Sequence, residues 1–509
     1  MLDVTSFQPS ELLALAAKGA PWAALSYVVY NAVMVVYNLH FHPLAKFPGP
    51  RWAAASGWWQ VYVELLKQES LSKKLLDLHE EYGDVVRIAP NQLHFSRPSA
   101  YNEIYNVKNR WDRDMALYHI FADERSTLTI PDYTTAKKRR DLTTFLFSRK
   151  NIIAMQHLVQ QCLDTACENI DTHIKEGKPV SIFKAFRCCA ADVICTMCFA
   201  RSMNATSEPG FNAPVVTSIH AAFPVIMVFK HFRLLQAIIT KAPAALMRHL
   251  APELGGLMQM RQMLTDQVKE AKANPQVLHD LQQVTIYHEL LKDPENVPSD
   301  VSLRDEAVLY VTAGMDTSSD ALTLGTVNIL SRPELHAELL RELVAAWPNV
   351  DDAPPRYEQI EKLPYLTAVL KESLRMSHGV VQPMTRVVPK EGARISGYSI
   401  PGGSVVAISN IFVHWSKEIF ADARAFKPER WLDPEADLDP WLVAFSKGPR
   451  SCLGVNLGWC ELYMSMATLF RRYDMKLNGV GPSDLKWRDV YLPLHIGPDL
   501  TVIAKRRTV

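Results

Sequence analysis

This sequence of 509 residues has little excess of charge of either sign and few cysteines. Lysine and arginine total 55 and aspartate and glutamate total 54, so binding to nucleic acid through bulk electrostatics is not expected. Eight cysteines are too few for a disulfide framework in a chain of this length. Cys195 and Cys198 have CxxC spacing, but no second cysteine or histidine pair follows at the spacing of a zinc site. We therefore expect buried helix cysteines in a reducing compartment.

Long uncharged runs are scarce as well, and the most prominent one covers residues 22–39. As a helix it spans about 27 Å, close to the ~30 Å hydrocarbon core of a bilayer. The basic leader and the cleavage site of a signal peptide are missing, so we expect a transmembrane anchor within residues 1–40. Asp3 and Glu11 outnumber Lys18 before this run, whereas Lys46 and Arg51 follow it. The positive-inside rule then predicts a cytosolic body.

A proline-rich segment, FHPLAKFPGPR, follows at residues 41–51 and predicts a stiff hinge. The rest of the chain, residues 52–509, shows no internal repeat, and its apolar pattern is mainly helical. Strand signals occur at residues 85–96 and 395–410, and each is interpreted as a hairpin. One long helix is predicted over residues 302–330, before Arg332-Pro333 ends it. The expected fold class is mainly α with a small β portion.

The decapeptide FSKGPRSCLG, residues 445–454, carries the most specific pattern, FxxGxRxCxG. This pattern resembles the heme-binding loop of the cytochrome P-450 superfamily, in which a cysteine thiolate ligates the heme iron. The resemblance extends over essentially the whole chain, because further motifs of the family occur in the family's order. It implies the cytochrome P-450 fold, with a long central helix over heme b and with Cys452 as the axial metal ligand.

The resemblance also implies roles for the neighbours of Cys452. Gly448 and Gly454 let the main chain approach a flat macrocycle. Phe445 packs beside the sulfur and excludes water, and Arg450 pairs with a heme propionate.

Two further arginines are expected to bind propionates because their positions resemble those of the family. Arg386 lies eleven residues after Arg375, and Arg140 lies in KKRRDLTTFLFS. The aromatic or histidine residue that the family has near Arg140 is Ala136 here, so Arg139 could take its place. A solvated basic face is the alternative interpretation of this segment.

Glu372-Ser-Leu-Arg375 resembles the ExxR signature of the family. Residues three apart share a helix face, so an ion pair is expected. Arg430, in FKPERW, would complete an Arg–Glu–Arg triad that braces the loop beneath the heme. The expected role of these three residues is structural.

Ala313-Gly-Met-Asp-Thr317, within the predicted long helix, resembles the oxygen-activating AGxDT pattern. A threonine hydroxyl inside a helix can divert backbone hydrogen bonds and open a local bulge with room for dioxygen and water. Thr317 is expected to hold them, and Asp316 is expected to relay protons from solvent. In isolation, a capping or surface Asp-Thr pair would be the alternative.

Electrons are expected from a separate NADPH-dependent flavoprotein reductase, because the chain contains no GxGxxG fingerprint. Lys137, Lys138 and Arg139 would form a basic rim that attracts an acidic partner. The histidines have no partner at ligand spacing and are interpreted as structural: His378, His414 and His495.

Substrate contacts in this family come from the segments corresponding to residues 101–130 and 208–256, the long helix and the strand after ExxR. The expected lining is mostly apolar and implies a hydrophobic substrate that partitions through membrane lipid. FHPLAKFPGP, YGDVVRIAPNQLHF and LRMSHGVVQPMTRVVP resemble filamentous-fungal members of the trichodiene-oxygenase type, which act on terpenoids and polyketides. The lining residues expected are Tyr118, Phe121, Phe223, Met227, Tyr310, Val380, Val381 and Met384.

The function expected from this resemblance is an NADPH- and O2-dependent monooxygenase that hydroxylates or epoxidises its substrate. It would be a single-pass protein of the endoplasmic reticulum membrane. A redox-neutral rearrangement or dehydration enzyme is the first alternative, and Asp316 and Thr317 argue against it. A non-enzymatic heme-binding protein is the second, and the apolar lining segments argue against it.

Overall fold

The computed structural model describes residues 9–121, 125–242, 255–274, 276–281, 283–293 and 295–508. Some predictions concern residues outside these ranges. Asp3 and the side chains of Glu11 and Lys18, on which the predicted membrane orientation depends, lie outside the described residues. Residues 122–124 and 243–254 of the predicted substrate-contact segments also lie outside the described residues.

Helices form most of the described chain, and twenty α-helices are numbered here within its described residues. They are α1 Pro9–His40, α2 Arg51–Ala55, α3 Trp58–Val61, α4 Leu71–Tyr82, α5 Pro98–Ile104, α6 Met115–Tyr118, α7 Tyr133–Thr144, α8 Arg149–Lys175, α9 Ile182–Phe199, α10 Pro214–His231, α11 Arg233–Lys241, α12 Gly255–Ala273, α13 Gln276–His279, α14 Ile286–Leu290, α15 Asp300–Leu330, α16 Pro333–Ala346, α17 Tyr357–Ile360, α18 Pro364–Ser377, α19 Asn410–His414 and α20 Val455–Arg472.

Eleven short strands of the described residues form four small sheets. The strands are β1 Val85–Ala89, β2 Gln92–Phe95, β3 Val180–Ser181, β4 Arg386–Val387, β5 Ala393–Ile395, β6 Tyr398–Ile400, β7 Val405–Ala407, β8 Tyr473–Leu477, β9 Trp487–Val490, β10 Leu492–His495 and β11 Thr501–Arg506. The sheet orders are β1-β2-β7-β4, β10-β9, β3-β11-β8 and β5-β6. A mainly helical body with a small β portion is therefore confirmed.

The two predicted hairpins have different outcomes. Residues 85–96 form the antiparallel pair β1–β2, as expected. The prediction of one hairpin around Pro401-Gly402-Gly403 was wrong: β5 pairs with β6 through a turn at Ser396-Gly397, and β7 pairs with β2 and β4 in another sheet. The chain changes sheets at the Pro-Gly-Gly segment, because proline lacks the N–H that a continuing ladder requires.

The long helix predicted over residues 302–330 is confirmed as α15. Ser299 caps its start by accepting a hydrogen bond from the Ser302 N–H at 3.3 Å. Helices α9, α12, α18 and α20 pack against it. Because α15 is surrounded by other helices, it forms the centre of the larger hydrophobic core.

The N-terminal helix differs from the others in exposure. Its segment Ala20–His40 is apolar and long enough to cross a bilayer, and its side chains are almost all exposed. Asn31, the polar residue in its middle, donates to the Tyr27 carbonyl at 2.7 Å, which lowers the cost of placing an amide in lipid. A second apolar segment of sufficient length, Pro209–His231, is partly buried in the body.

The segment that follows α1 is held against the body rather than suspended from it. Leu44 is fully buried, and the Arg87 N–H donates to the Pro48 carbonyl at 2.7 Å. The Arg87 guanidinium also donates to the Asn38 carbonyl, at 2.8 Å. These contacts tie the end of α1 and the proline-rich segment to strand β1.

Candidate active site

The cysteine loop runs from Phe445 to the start of α20, beneath a cavity of about 280 Å³. The Cys452 N–H donates to the Phe445 carbonyl at 2.8 Å, which closes the loop on itself. Ser446 has φ +58° within the turn. The Cys452 and Phe445 side chains both line the cavity.

The two glycines of the loop serve different purposes. Gly448 has φ +74°, and a Cβ there would lie 2.5 Å from the Tyr105 carbonyl oxygen. Gly448 is not among the residues that line the cavity, and the close approach of another main-chain segment favours glycine at this position. Gly454 lines the cavity, and a Cβ there would meet nothing within 4 Å.

The Cys452 side chain is exposed at the cavity that it lines. Burial raises the pKa of Cys452, and two neighbours oppose this rise: the Gly454 N–H and the Arg140 cation. Arg140 is held in place because its guanidinium donates to the Ser451 carbonyl at 2.7 Å. The loop thus places positive charge where a thiolate would be stabilised.

The predicted Arg–Glu–Arg triad is present and buried. Arg375 binds the Glu372 carboxylate through two hydrogen bonds of 2.7 and 2.8 Å, and Arg430 donates to the same carboxylate at 3.2 Å. Trp431 donates to Glu372 from its indole at 2.9 Å. Arg375 also reaches the His414 and Ala423 carbonyls, both at 2.6 Å. The triad therefore joins α18 to the loop segment that precedes the cysteine loop.

Helix α15 brings Thr317 to the wall of the same cavity. Its hydroxyl donates to the Ala313 carbonyl at 3.0 Å, and the helix is regular α-helix throughout. The predicted local bulge was therefore wrong: the hydroxyl adds a bond to the carbonyl without displacing the helical one. Thr312, Ala313 and Gly314 line the same wall.

Asp316 is buried on a neighbouring face of α15 and does not line the cavity. Arg187 of α9 donates to its Oδ1 at 2.6 Å, and His220 Nδ1 lies 3.8 Å from that atom. Burial acts to raise the pKa of Asp316, but Arg187 and then His220 outweigh it, so the pKa is lower than usual. Its Oδ2 has no hydrogen-bond partner.

Four arginines cluster at one end of the cavity. Arg113, Arg140 and Arg450 line it, and Arg386 lies behind them, where its guanidinium donates to the Tyr118 hydroxyl at 3.2 Å. Burial, followed by Arg113 and Arg386, lowers the pKa of Arg450 to about 9. The choice between two arginines on α7 is resolved by geometry, because Arg139 points to the Ser302 hydroxyl, at 3.2 Å.

The predicted substrate-contact residues divide into two groups. Phe121, Phe223, Tyr310, Val380 and Met384 line the cavity, as expected. The prediction was wrong for three others, which are buried in the surrounding core: Tyr118, Met227 and Val381. Tyr118 instead packs under the Arg113 guanidinium, 4.6 Å from its ring centre. Although burial opposes it, Arg113 and Arg386 lower the pKa of Tyr118.

Two charged residues that line the cavity were missed from the sequence. Arg113 lies in a segment without a recognisable spacing pattern. Glu461 lies nine residues after Cys452, on the second turn of α20, and is buried. Burial raises the pKa of Glu461 to about 8, opposed by a hydrogen bond with Ser318. Cys452 precedes α20, so no helical spacing counted from it marks Glu461 as a cavity residue.

The remaining cysteines and histidines do not form a metal site. No group of three or more histidine, cysteine, aspartate or glutamate side chains among the described residues could hold a metal ion. Cys195 and Cys198 are buried in the core, as predicted. His378 and His414 are buried and stacked on each other, and burial lowers the pKa of both, which agrees with a structural role.

The cavity walls fit an iron porphyrin with two carboxylates. The buried Nε atoms of Arg113 and Arg450 have no hydrogen-bond partner. This arginine cluster can therefore still donate hydrogen bonds to anionic oxygens. Gly454 leaves open space for a flat group next to the Cys452 sulfur. A single thiol facing such a space, with cations at one end, is the donor set of a heme held by a thiolate and two propionates.

This fold and this donor set define the class of heme-thiolate oxidoreductases, and the comparison with known proteins agrees. The family model described as Cytochrome P450 matches residues 48–495. The chain is 34% identical to "Cytochrome P450 monooxygenase flvC" of Aspergillus flavus, over 94% of this chain and 95% of that protein. It is 33% identical to "Cytochrome P450 monooxygenase macH" of Penicillium terrestre, over 95% and 97% of the two chains. The chain belongs to the cytochrome P450 family.

Proposed function

We propose that this protein is a membrane-anchored monooxygenase that inserts one oxygen atom from O2 into an apolar substrate, by hydroxylation or epoxidation. The observation that carries the proposal is that Cys452 and Thr317 line one cavity, whose other side chains are mostly apolar. The relatives are fungal monooxygenases. We infer a substrate of fungal secondary metabolism, a terpenoid or a polyketide.

The residues on the cysteine side bind and orient heme b. Cys452 would bind the heme iron through its thiolate, and Arg450, Arg140 and Arg386, with Arg113, would bind or orient the propionates. Phe445 packs on Trp459 and Gly458 beside the sulfur and keeps water from it. When bound, the heme supplies oxygen activation at an iron to which the thiolate donates electron density. Gly448 fixes the turn, and Gly454 leaves space for the ring.

The residues on the α15 side manage protons and the substrate. The Thr317 hydroxyl already donates to Ala313, so its oxygen can accept a hydrogen bond from a water in the cavity. Asp316 is ionised beside Arg187 and can take up a proton and release it toward the Thr317 wall. Phe121, Phe223 and Val380 exclude water and hold an apolar substrate.

Electrons come from a separate NADPH-dependent flavoprotein reductase. Lys137 and Lys138 on α7 are exposed, and Lys137 forms an ion pair with Asp141. Arg139 is turned inward to Ser302, so it is not part of this basic rim. Surface charges of this kind act mainly on the association rate with an acidic partner.

Membrane attachment follows from α1 and from a second apolar surface. The domain limits that we propose are an anchor at residues 1–40, a hinge at 41–51 and a catalytic body at 52–509. The protein would be a single-pass protein of the endoplasmic reticulum membrane with a cytosolic body. On α11, Leu234, Leu235 and Ile238 are exposed, and the adjoining Phe232 packs against the exposed Trp58. We infer that these side chains enter the same lipid surface.

Two measurements on the full-length, heme-loaded chain test this function. The reduced protein with carbon monoxide should show the absorption band of thiolate-ligated heme, and Cys452→Ser should abolish it. Cys162→Ser, which changes a half-buried cysteine of the core, should leave the band unchanged. A band that persists in Cys452→Ser would rule out the axial role of this residue.

The second measurement is turnover. Candidate terpenoids and polyketides are screened for a spin-state shift, and those that bind are incubated with reductase, NADPH and isotopically labelled O2. One labelled oxygen atom per product supports the proposal. Product formed without O2 and NADPH would favour a redox-neutral enzyme, and binding without turnover of any candidate would favour a non-enzymatic heme protein.

A further inference from the structure

A second, smaller cavity of about 50 Å³ borders α15, which is room for a few water molecules. Asp320, Thr323 and Leu324 of α15 form one wall of it. Lys486 is exposed and also lines the small cavity, so the cavity reaches the protein surface. Ser377 of α18 lines both the small cavity and the large one. The buried side chain of Ser377 therefore lies between the two cavities, and the small cavity is reached from the protein surface at Lys486.

Asp320 is the acidic residue that α15 contributes to this small cavity. It lies one helical turn after Asp316, so the two carboxyl groups share a face of the helix. Asp316 is held by Arg187 through its Oδ1, whereas its Oδ2 is buried without a partner. Asp316 thus has a free acceptor atom on the helix that carries Asp320.

The surroundings favour opposite charge states for the two acids. Burial, and then the nearby Asp316 carboxylate, raise the pKa of Asp320 well above its usual value, and Arg187 opposes this rise. Arg187 and His220 hold the pKa of Asp316 below its usual value. Across the small cavity stand Lys486 and His495, the other titratable side chains that line it. The protonated acid is therefore favoured at Asp320 and the ionised carboxylate at Asp316.

We propose that Asp320 stores a proton and passes it to Asp316, which links water in the small cavity to the oxygen-binding wall of the active site. The Asp320 O–H bond breaks and an O–H bond forms on Asp316. The Asp320 carboxylate is then protonated by a hydronium ion, which leaves a water molecule in the small cavity. Because Asp320 acts through Asp316, it is a positioning residue. This inference rests on the proposed monooxygenase function.

An infrared measurement on the heme-loaded protein tests the protonation state without any turnover. The difference spectrum between wild type and Asp320→Asn at pH 7 should contain the carbonyl stretch of a protonated carboxylic acid, shifted in D2O. Thr323→Val is the matched control, because the Thr323 hydroxyl lines the same cavity and is buried without a partner. Its difference spectrum should lack this band. If the band is absent for Asp320→Asn as well, the inference is overturned.

A kinetic measurement tests the transfer. With reductase, NADPH and O2, Asp320→Asn should slow NADPH oxidation about tenfold and enlarge its solvent isotope effect. This loss is smaller than the 10²–10⁴-fold contribution of a direct general acid, since Asp316 remains. Asp320→Glu should restore both values, and Thr323→Val should keep them. Unchanged kinetics in Asp320→Asn, with an active wild type, overturn the relay alone. A wild type that shows no O2-dependent oxidation overturns the proposed function and the relay together.

Discussion

Thr317 and Thr312 stand on α15 and line the same cavity. Each hydroxyl donates to the carbonyl four residues earlier: Thr317 to Ala313 at 3.0 Å and Thr312 to Val308 at 2.9 Å. The two side chains are therefore equal in size and share this hydrogen bond, although the Thr312 hydroxyl also lies 3.2 Å from the Leu309 carbonyl, and they differ in their position along the cavity wall. A comparison of substitutions at the two positions therefore distinguishes a specific role of Thr317 from the general effect of losing a threonine in the cavity wall.

We expect Thr317→Ala to retain heme and to release several-fold more hydrogen peroxide per NADPH consumed, because the hydroxyl that positions water for proton transfer is lost. Thr312→Ala should couple NADPH to product as wild type does. The measurement is peroxide formed against NADPH oxidised. Equal coupling in wild type and Thr317→Ala would remove Thr317 from the proton path.

Glu461 is a buried acid whose pKa is raised from 4.5 to about 8 by burial. Between these two values the folded protein binds more protons than the unfolded chain, so its free energy of unfolding falls as the pH rises through this window. The total loss is at most about 5 kcal/mol, at 1.36 kcal/mol for each pKa unit.

Glu461→Gln should therefore flatten the decrease in the free energy of unfolding between pH 5 and pH 8. The measurement is denaturant unfolding of the heme-loaded protein across that range. Glu435→Gln, at an exposed carboxyl, serves as the control and should retain the wild-type slope. If the slope survives in Glu461→Gln, another group causes it.

At the scale of elements, helix α18 carries a buried and an exposed ion pair on consecutive residues. Glu372 is fully buried with Arg375 and Arg430. Lys371 pairs with Asp439 at 2.6 Å, and that aspartate is mostly exposed. A buried pair loses far more on truncation than an exposed one, because the remaining charge is left without a partner in the interior.

Glu372→Gln should lower the free energy of unfolding by about 3–5 kcal/mol and reduce heme content, because Arg375 and Arg430 lose their counter-charge. Lys371→Gln should cost at most about 1 kcal/mol. Denaturant unfolding and the heme-to-protein ratio measure both effects. Similar values for the two variants would show that the triad does not hold the cysteine loop in place.

For the molecule as a whole, the junction between α1 and the body lies before residue 40. Asn38 donates to the Ala55 carbonyl at 2.9 Å, and its own carbonyl accepts from Arg87 at 2.8 Å. A truncation that removes residues 1–40 deletes both contacts, whereas removal of residues 1–36 keeps them.

We expect both truncations to shift the protein toward the soluble fraction, because each removes the apolar segment. The shorter one should retain the wild-type thermal midpoint, and the longer one should lower it. Part of the shorter form should remain on membranes until Leu234→Glu and Ile238→Glu are added. Ile503→Glu, at an exposed apolar residue of β11, is the control and should not release it. A shorter form that is fully soluble would exclude the second lipid contact.

The parts of the site that the sequence predicted correctly are those in which few residues separate the partners. Spacings of three to ten residues define the Cys452 loop, the Glu372–Arg375 pair and the periodicity of helix α15. At such spacings the local backbone geometry decides which side chains are in contact. The wrong predictions have a different cause. Each of them concerns a feature that depends on what packs against the segment, and no local pattern encodes such packing. These features are the bulge at Thr317, the hairpin at Pro401 and the cavity contacts of Tyr118, Met227 and Val381.

The sequence by itself determined the family, the cysteine loop and the Glu372–Arg375 pair, because each depends on residue types at short, rigid spacings. Only the tertiary structure decided which arginine of α7 faces the cavity, that Arg113 joins Arg450, and that Asp316 pairs with Arg187. It also decided that Glu461 lines the active-site cavity and that Asp320 lines the smaller one. These partners lie up to hundreds of residues apart, and charge and protonation in an interior depend on three-dimensional neighbours rather than on sequence distance.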